Sequence, residues 1–181
     1  MTRPAPHPDQ RPRTHRRAIR VAVLDTDGRI LLMQDSDPLL EPPRRWWITP
    51  GGGVEVGESD PQTAVRELAE ETGLRVSEAD LVGPLVSLQV VHGFTDRIVD
   101  QAEVFYLVRV APFVVDVSGH TADERETIHG VRWWTRAEIA AEAPEIWPGD
   151  LLAIIDLADR PERWRQGPVD LGTREESSVP V

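Results

Sequence analysis

The chain has no cysteine and no lysine among its 181 residues. The first absence excludes disulfides, thiolate metal sites and cysteine nucleophiles. The second excludes lysine as a nucleophile or Schiff-base former. All 20 basic residues are therefore arginine, set against 31 acidic ones, and the net charge is -11. A surface this acidic repels nucleic acid unless a local basic patch overrides it, and repels phosphorylated small molecules unless cations intervene. No apolar run approaches the ~18 residues that a membrane span needs. Residues 1–20 are rich in Pro and Arg but hold no apolar stretch of signal-peptide type. With 40% hydrophobic and 28% charged residues, the composition is that of a globular protein, and a cytoplasmic enzyme is expected.

Along the chain, residues 1–16 read as a disordered Arg/Pro-rich arm, and from Ala18 the pattern turns β. Ile19, Val21 and Val23 alternate with Arg20 and Ala22, and Asp25-Thr26-Asp27-Gly28 joins them to a second apolar run, 30–33, as a hairpin. Strand-like segments follow at 46–49, 81–91, 98–110 and 131–134. A short helix opens at Thr135, with Glu138 in capping-box position. An apolar helix is expected over 148–159, and residues 160–181 read as a flexible tail.

The most informative stretch is a Gly-rich loop at 50–58 followed by a helix over 61–72. Ser59 with Gln62 forms a capping box at its start, and Gly73 supplies the left-handed residue at its end. Ala64, Val65, Leu68 and Thr72 share one side of this helix. Glu67, Glu70 and Glu71 fall on the other at i, i+3 and i+4, where like charges destabilise an isolated helix. A solvated acidic face would look the same, so the helix alone does not decide between solvent and a cation.

The full spacing does. Gly52-x5-Glu58-x7-Arg66-Glu67-Leu68-x-Glu70-Glu71-x-Gly73-Leu74 fits the Nudix box at every specified position. Seven fixed residues at about 6–7% usage each, with two apolar positions, give a chance match on the order of one in a billion per starting point. Trp46, Pro50 and Gly51 also resemble the family's lead-in, and the order of elements resembles its domain over 17–159.

The resemblance implies an α/β fold: an α/β/α sandwich with a mixed sheet and the box as loop–helix–loop. It implies Mg²⁺ or Mn²⁺ held by Glu67, Glu70 and Glu71, with the Gly51 carbonyl as a further ligand. Arg66 would pair with a box glutamate, Glu58 would brace the loop, and Gly52 and Gly73 would give the box its shape. Mg²⁺ keeps several waters that substrate phosphates can replace, which suits hydrolysis of a diphosphate bond by water attack on phosphorus. The implied substrate is a nucleoside diphosphate linked to another moiety: a nucleoside triphosphate, a nucleotide sugar or ADP-ribose. A homodimer is implied too, although no segment names an interface.

Beyond the box, family members often draw another acidic residue from the second half of the domain. Glu126 is the first candidate for this catalytic role and Glu124 the second, with Glu103 a third that would face the cleft. Arg44, Arg45, Trp47 and Arg97 are candidate substrate contacts, by charge on loops or by stacking on a base. Two alternatives stay open: a nucleotide-sensing module that does not cleave, and an RNA-decapping enzyme using the arginine-rich arm. An isomerase of the same fold would use a catalytic cysteine, which this chain lacks.

Overall fold

A computed structural model describes residues 7–181. Its centre is β1 (Arg13–Asp25), which turns at Asp25–Gly28 into β2 (Ile30–Ser36). β3 (Arg45–Ile48) and β4 (Gly51–Gly53) lead into α1 (Asp60–Thr72). β5 (Val82–Gly93) and β6 (Ile98–Val110) form a long hairpin. Then come α2 (Ala122–Thr127), β7 (Gly130–Trp134), α3 (Arg136–Glu142), β8 (Ile146–Trp147), α4 (Leu151–Leu157) and β9 (Val169–Glu175). The strands make one mixed sheet in the order β8-β3-β2-β1-β6-β5-β9, with β4 also on β1 and β7 also on β2.

Strand alternation explains the layers. Ile19, Val21 and Val23 send their side chains to one face, where Ala64 and Leu68 of α1 cover them. Ala22 and Leu24 point to the other face, covered by Leu151, Ile154 and Ile155 of α4. Full burial of a leucine such as Leu68 contributes about 2 kcal/mol. This is the expected α/β sandwich. Among the described residues no helix is long and apolar enough to cross a membrane.

The structure differs from the sequence reading at both ends. Residues 1–6 of the expected arm lie outside the described residues. From Arg13 on, however, the arm is strand: Arg13 to Arg17 pair in parallel with Ile98 to Ala102 of β6. Charge compensation explains it, because the Arg13 guanidinium bonds both Asp100 oxygens at 2.6 and 2.7 Å, while Arg16 bonds Gln101 and Arg17 bonds Asp60. The expected tail is likewise part of the sheet, since β9 pairs in parallel with β5. Val169 and Leu171 pack on the core, and Arg174 bonds Asp150 at 2.6 Å. The apolar helix is shorter than expected, because Pro148 and Gly149 stay in the turn before it.

Candidate metal centre and its cleft

Helix α1 is built as the sequence predicts. The Ser59 hydroxyl accepts from the Gln62 amide, the Gln62 side chain accepts from the Ser59 amide, and Gly73 ends the helix at φ 72°. Ahead of it, β4 lies against β1, with Gly51 opposite Arg20 at φ 138°. A side chain at Gly51 would collide with the Ile19 carbonyl. At Gly52 a Cβ would come within 2.5 Å of the Glu67 carboxylate, so the glycine leaves room for that group.

Arg66 organises the carboxylates. Its Nε donates to Glu58 Oε1 at 2.8 Å, and its Nη2 to Glu58 Oε2 at 3.0 Å and the Gly53 carbonyl at 2.9 Å. Its Nη1 donates to Glu67 Oε1 at 2.8 Å and Glu70 Oε2 at 3.0 Å. Glu58 also accepts from the Thr63 hydroxyl and the Glu55 amide, and the Arg66 bonds hold its pKa down at about 2. Glu58 and Arg66 thus tie the loop at Gly53 and Glu55 to α1.

Glu67 and Glu71 are buried, 6% and 4% exposed. Glu71 Oε2 accepts from the Gly51 amide at 2.6 Å. Burial pushes both carboxyls above their usual range, Glu71 most strongly, and the Glu67 charge adds to the rise at Glu71. Glu124 arrives from α2, which Thr121 caps through a reciprocal box. Each of Glu67, Glu71 and Glu124 offers an oxygen, all within 4.8 Å of one another. Three converging carboxylates in a partly buried setting repel one another unless a cation lies between them, and an all-oxygen donor set suits Mg²⁺ or Mn²⁺. The residues therefore fit a hard divalent ion.

These carboxylates form one end of a cleft of about 320 Å³. The rest of its wall is formed by Arg16, Arg20, Arg97, Asp35, Ser36, Phe94 and Ile48, among others. Arg20 donates to Glu103 Oε1 at 3.2 Å and to the Gly51 carbonyl at 3.0 Å. Glu103 is 3% exposed and lies beneath this wall. Burial opposes its ionisation, but His92 at 3.9 Å, the Arg20 charge and the Gln101 amide outweigh that and hold its pKa at about 2. The Arg97 guanidinium lies 4.8 Å from the Phe94 ring centroid.

Several sequence candidates fall elsewhere. Glu70 is not in the cluster: its side chain is about half exposed and its carboxylate is taken by Arg66. Glu126 lines a neighbouring pocket with Asp37, Asp96 and Arg97, and Glu124 occupies the place foreseen for it. The two are two residues apart on a helix, so only one can face the cleft. The Gly51 carbonyl is engaged by Arg20, although its second lone pair remains. Arg44 bonds Glu145 and the carbonyls of Ser177 and Ser178, away from the cleft. Arg45 is an exposed β3 residue that does not line it. Trp47 packs edge-on against Trp134 at 5.1 Å in the core rather than over a substrate. Of the substrate-contact candidates, only Arg97 lines the cleft.

Sequence reasoning passed over Asp35, Ser36 and Phe94, and placed Arg16 in the arm and Arg20 on a strand without naming either as a site residue. One signal was available: Arg20 interrupts the otherwise apolar run 18–24, and a charge there needs a buried partner. A second was the Thr121-x-x-Glu124 capping box, which marks α2.

Comparisons with known proteins agree with this geometry. A family model described as NUDIX domain matches residues 14–154. An uncharacterized Nudix hydrolase of Bacillus subtilis, YvcI, is 39% identical over 70 residues, 39% of this chain and 40% of that protein. A putative mutator protein, MutT4, of Mycobacterium tuberculosis is 36% identical over 90 residues, 50% of this chain and 33% of that protein. The match thus spans well under half the length of either relative. The crystal structure of a MutT protein from Bacillus halodurans superposes with a TM-score of 0.58 at 22% identity, covering 90% of this chain and 91% of that one.

Proposed function

This chain belongs to the Nudix family, and on that premise we propose that it is a divalent-metal-dependent pyrophosphohydrolase of a nucleoside diphosphate linked to another moiety. The observation that carries the reading is the convergence of Glu67, Glu71 and Glu124 in a cleft whose wall also bears Arg16, Arg20 and Arg97. That composition suits a diphosphate: the carboxylates take a cation, and arginines take anionic oxygen directly.

Glu67, Glu71 and Glu124 would hold the ion, Mg²⁺ or Mn²⁺. When bound, it neutralises phosphoryl charge, polarises a phosphoryl oxygen and makes a neighbouring water more acidic. Arg66 fixes the Glu67 rotamer, and Glu58 fixes Arg66. The Gly51 amide orients Glu71. Arg16 and Arg97 bind the substrate's phosphate oxygens, and Phe94 offers a ring face to an aromatic moiety. A water attacks one phosphorus: the new P–O bond forms, the bridging P–O bond breaks with its electron pair on the leaving phosphate, and Glu124 accepts the water's proton. Glu124 is the least buried of the three, which suits a group that must exchange protons with solvent. Glu70, joined to Glu67 through Arg66, is the next carboxylate available to a second ion.

The substrate is a nucleoside triphosphate, a nucleotide sugar or ADP-ribose. The decapping alternative is disfavoured because Arg13 and Arg17 are taken up in ion pairs with Asp100 and Asp60 rather than free for RNA. A cytoplasmic location and a homodimer belong to the same reading. The test is a panel of nucleoside triphosphates, nucleotide sugars, dinucleoside polyphosphates and ADP-ribose with Mg²⁺ or Mn²⁺. Metal-dependent cleavage lost in Glu71→Gln is expected. Metal-independent nucleotide binding without cleavage, surviving in that variant, would replace the hydrolase by a sensor.

A further inference from the structure

The turn at residues 93–97 joins β5 to β6 and carries Phe94 and Arg97 into the cleft wall. The backbone groups of such a turn ordinarily face water. Here three distant segments hold them. Gly93 donates its amide to the Ser177 hydroxyl at 2.8 Å, and its carbonyl accepts from the Val179 amide and the Ser178 hydroxyl, both at 3.1 Å. The Phe94 carbonyl accepts from Arg11 Nη1 at 2.8 Å. The Thr95 amide and hydroxyl both donate to Asp37 Oδ2, at 2.7 and 2.9 Å.

The same three segments are tied to one another. Asp37, 2% exposed, accepts on that oxygen from the Ser178 hydroxyl at 2.7 Å as well. Arg11, 4% exposed, also donates to the carbonyls of Val179 and Pro180, at 3.3 and 2.6 Å. One buried carboxylate and one buried guanidinium therefore each bridge the turn to the end of the chain. Charge-assisted bonds of this kind, formed away from water, fix geometry more firmly than neutral surface ones. The segment involved follows β9 and lies beyond residue 154, where the family match stops.

We propose that residues 176–180 act as a strap that fixes the 93–97 turn, and that Arg11, Asp37 and Ser178 are positioning residues for the part of the cleft wall that carries Phe94 and Arg97. This rests on the hydrolase reading for what the wall binds. The strap touches neither the carboxylate cluster nor Arg66. Loosening it therefore weakens nucleotide binding and leaves the metal end as it was.

The test uses the full chain with Ser178→Ala and Arg11→Met, and with Thr135→Ala as a control that uncaps α3 and lowers stability away from the cleft. Three quantities are read: amide exchange over 93–97, the dissociation constant for α,β-methylene-ADP with Mn²⁺, and the Mn²⁺ affinity alone. For the two strap variants, faster exchange, about fivefold weaker analogue binding and unchanged Mn²⁺ affinity are expected. The control should change none of the three. If Ser178→Ala and Arg11→Met speed exchange but bind the analogue as tightly as the parent protein, the strap is only a stability device and the proposal is overturned. Equal loosening by Thr135→Ala would overturn it too. A parent protein that neither binds the analogue nor cleaves any substrate of the panel would instead overturn the hydrolase reading, and this inference with it.

Discussion

At the carboxylate end of the cleft, Glu58, Arg66, Glu67 and Glu71 come from one loop and the helix that follows it, and they hold one another through Arg66 and the Gly51 amide. The rest of the wall has no such local source. Arg16 comes from β1, Asp35 from β2, and Phe94 and Arg97 from the β5–β6 turn, while residues 176–180 hold the turn from outside. A centre made from adjacent sequence is preorganised by helix geometry alone. A wall made from remote segments depends on the whole sheet closing correctly. The first arrangement suits chemistry shared by many substrates, and the second suits the part of a site that distinguishes them.

Substitutions can break this contrast. The largest loss is expected at the local end: Glu71→Gln or Glu67→Gln should lower kcat/KM by roughly 10²- to 10⁴-fold and weaken Mn²⁺ binding, measured by steady-state kinetics and calorimetry. Glu124→Gln, the one contribution of the remote side to the ion, should cost roughly 10²-fold, whereas Glu126→Gln should leave kcat/KM within about twofold. The opposite ranking would return Glu126 to the catalytic role. Arg66→Lys should cost about tenfold, since an ammonium cannot reproduce a fork that reaches Glu58, Glu67, Glu70 and the Gly53 carbonyl together.

The smallest effect concerns stability and pH, beneath the remote wall. Glu176 is 8% exposed, and burial first, then the Glu103 charge, push its pKa up to about 8. The unfolded chain releases that proton near pH 4, so folding stability from this group is full below about pH 4 and declines as pH rises to 8. Glu103, held at about 2, has the opposite sign: its contribution is present above about pH 4 and is lost as pH falls toward 2. Thermal melts should therefore show a falling limb between about pH 4 and 8 that Glu176→Gln flattens. A limb unchanged in that variant would assign it to other groups.

Much of this was readable before any coordinates. The Ser59 box and the Gly73 cap stand where the sequence puts them, because each depends on residues within a few positions of one another. Strand β9 was not readable: Val-Asp-Leu-Gly-Thr-Arg-Glu alternates too weakly to declare itself, and its parallel partner lies about eighty residues away. Helix α2 holds no buried residue, so it has no apolar periodicity, and only its capping box marks it.

The sequence by itself determined the chemistry of one end: the type, spacing and shared face of the box carboxylates follow from 3.6 residues per turn and a glycine loop that lets backbone come close. Tertiary structure alone decided which outside carboxylate joins them and which side chains form the rest of the cleft wall. Those choices depend on strand register and on pairings between charges far apart in the chain. Neither leaves a periodic trace in local sequence, because the partner that makes a charge buriable is supplied only when the sheet forms.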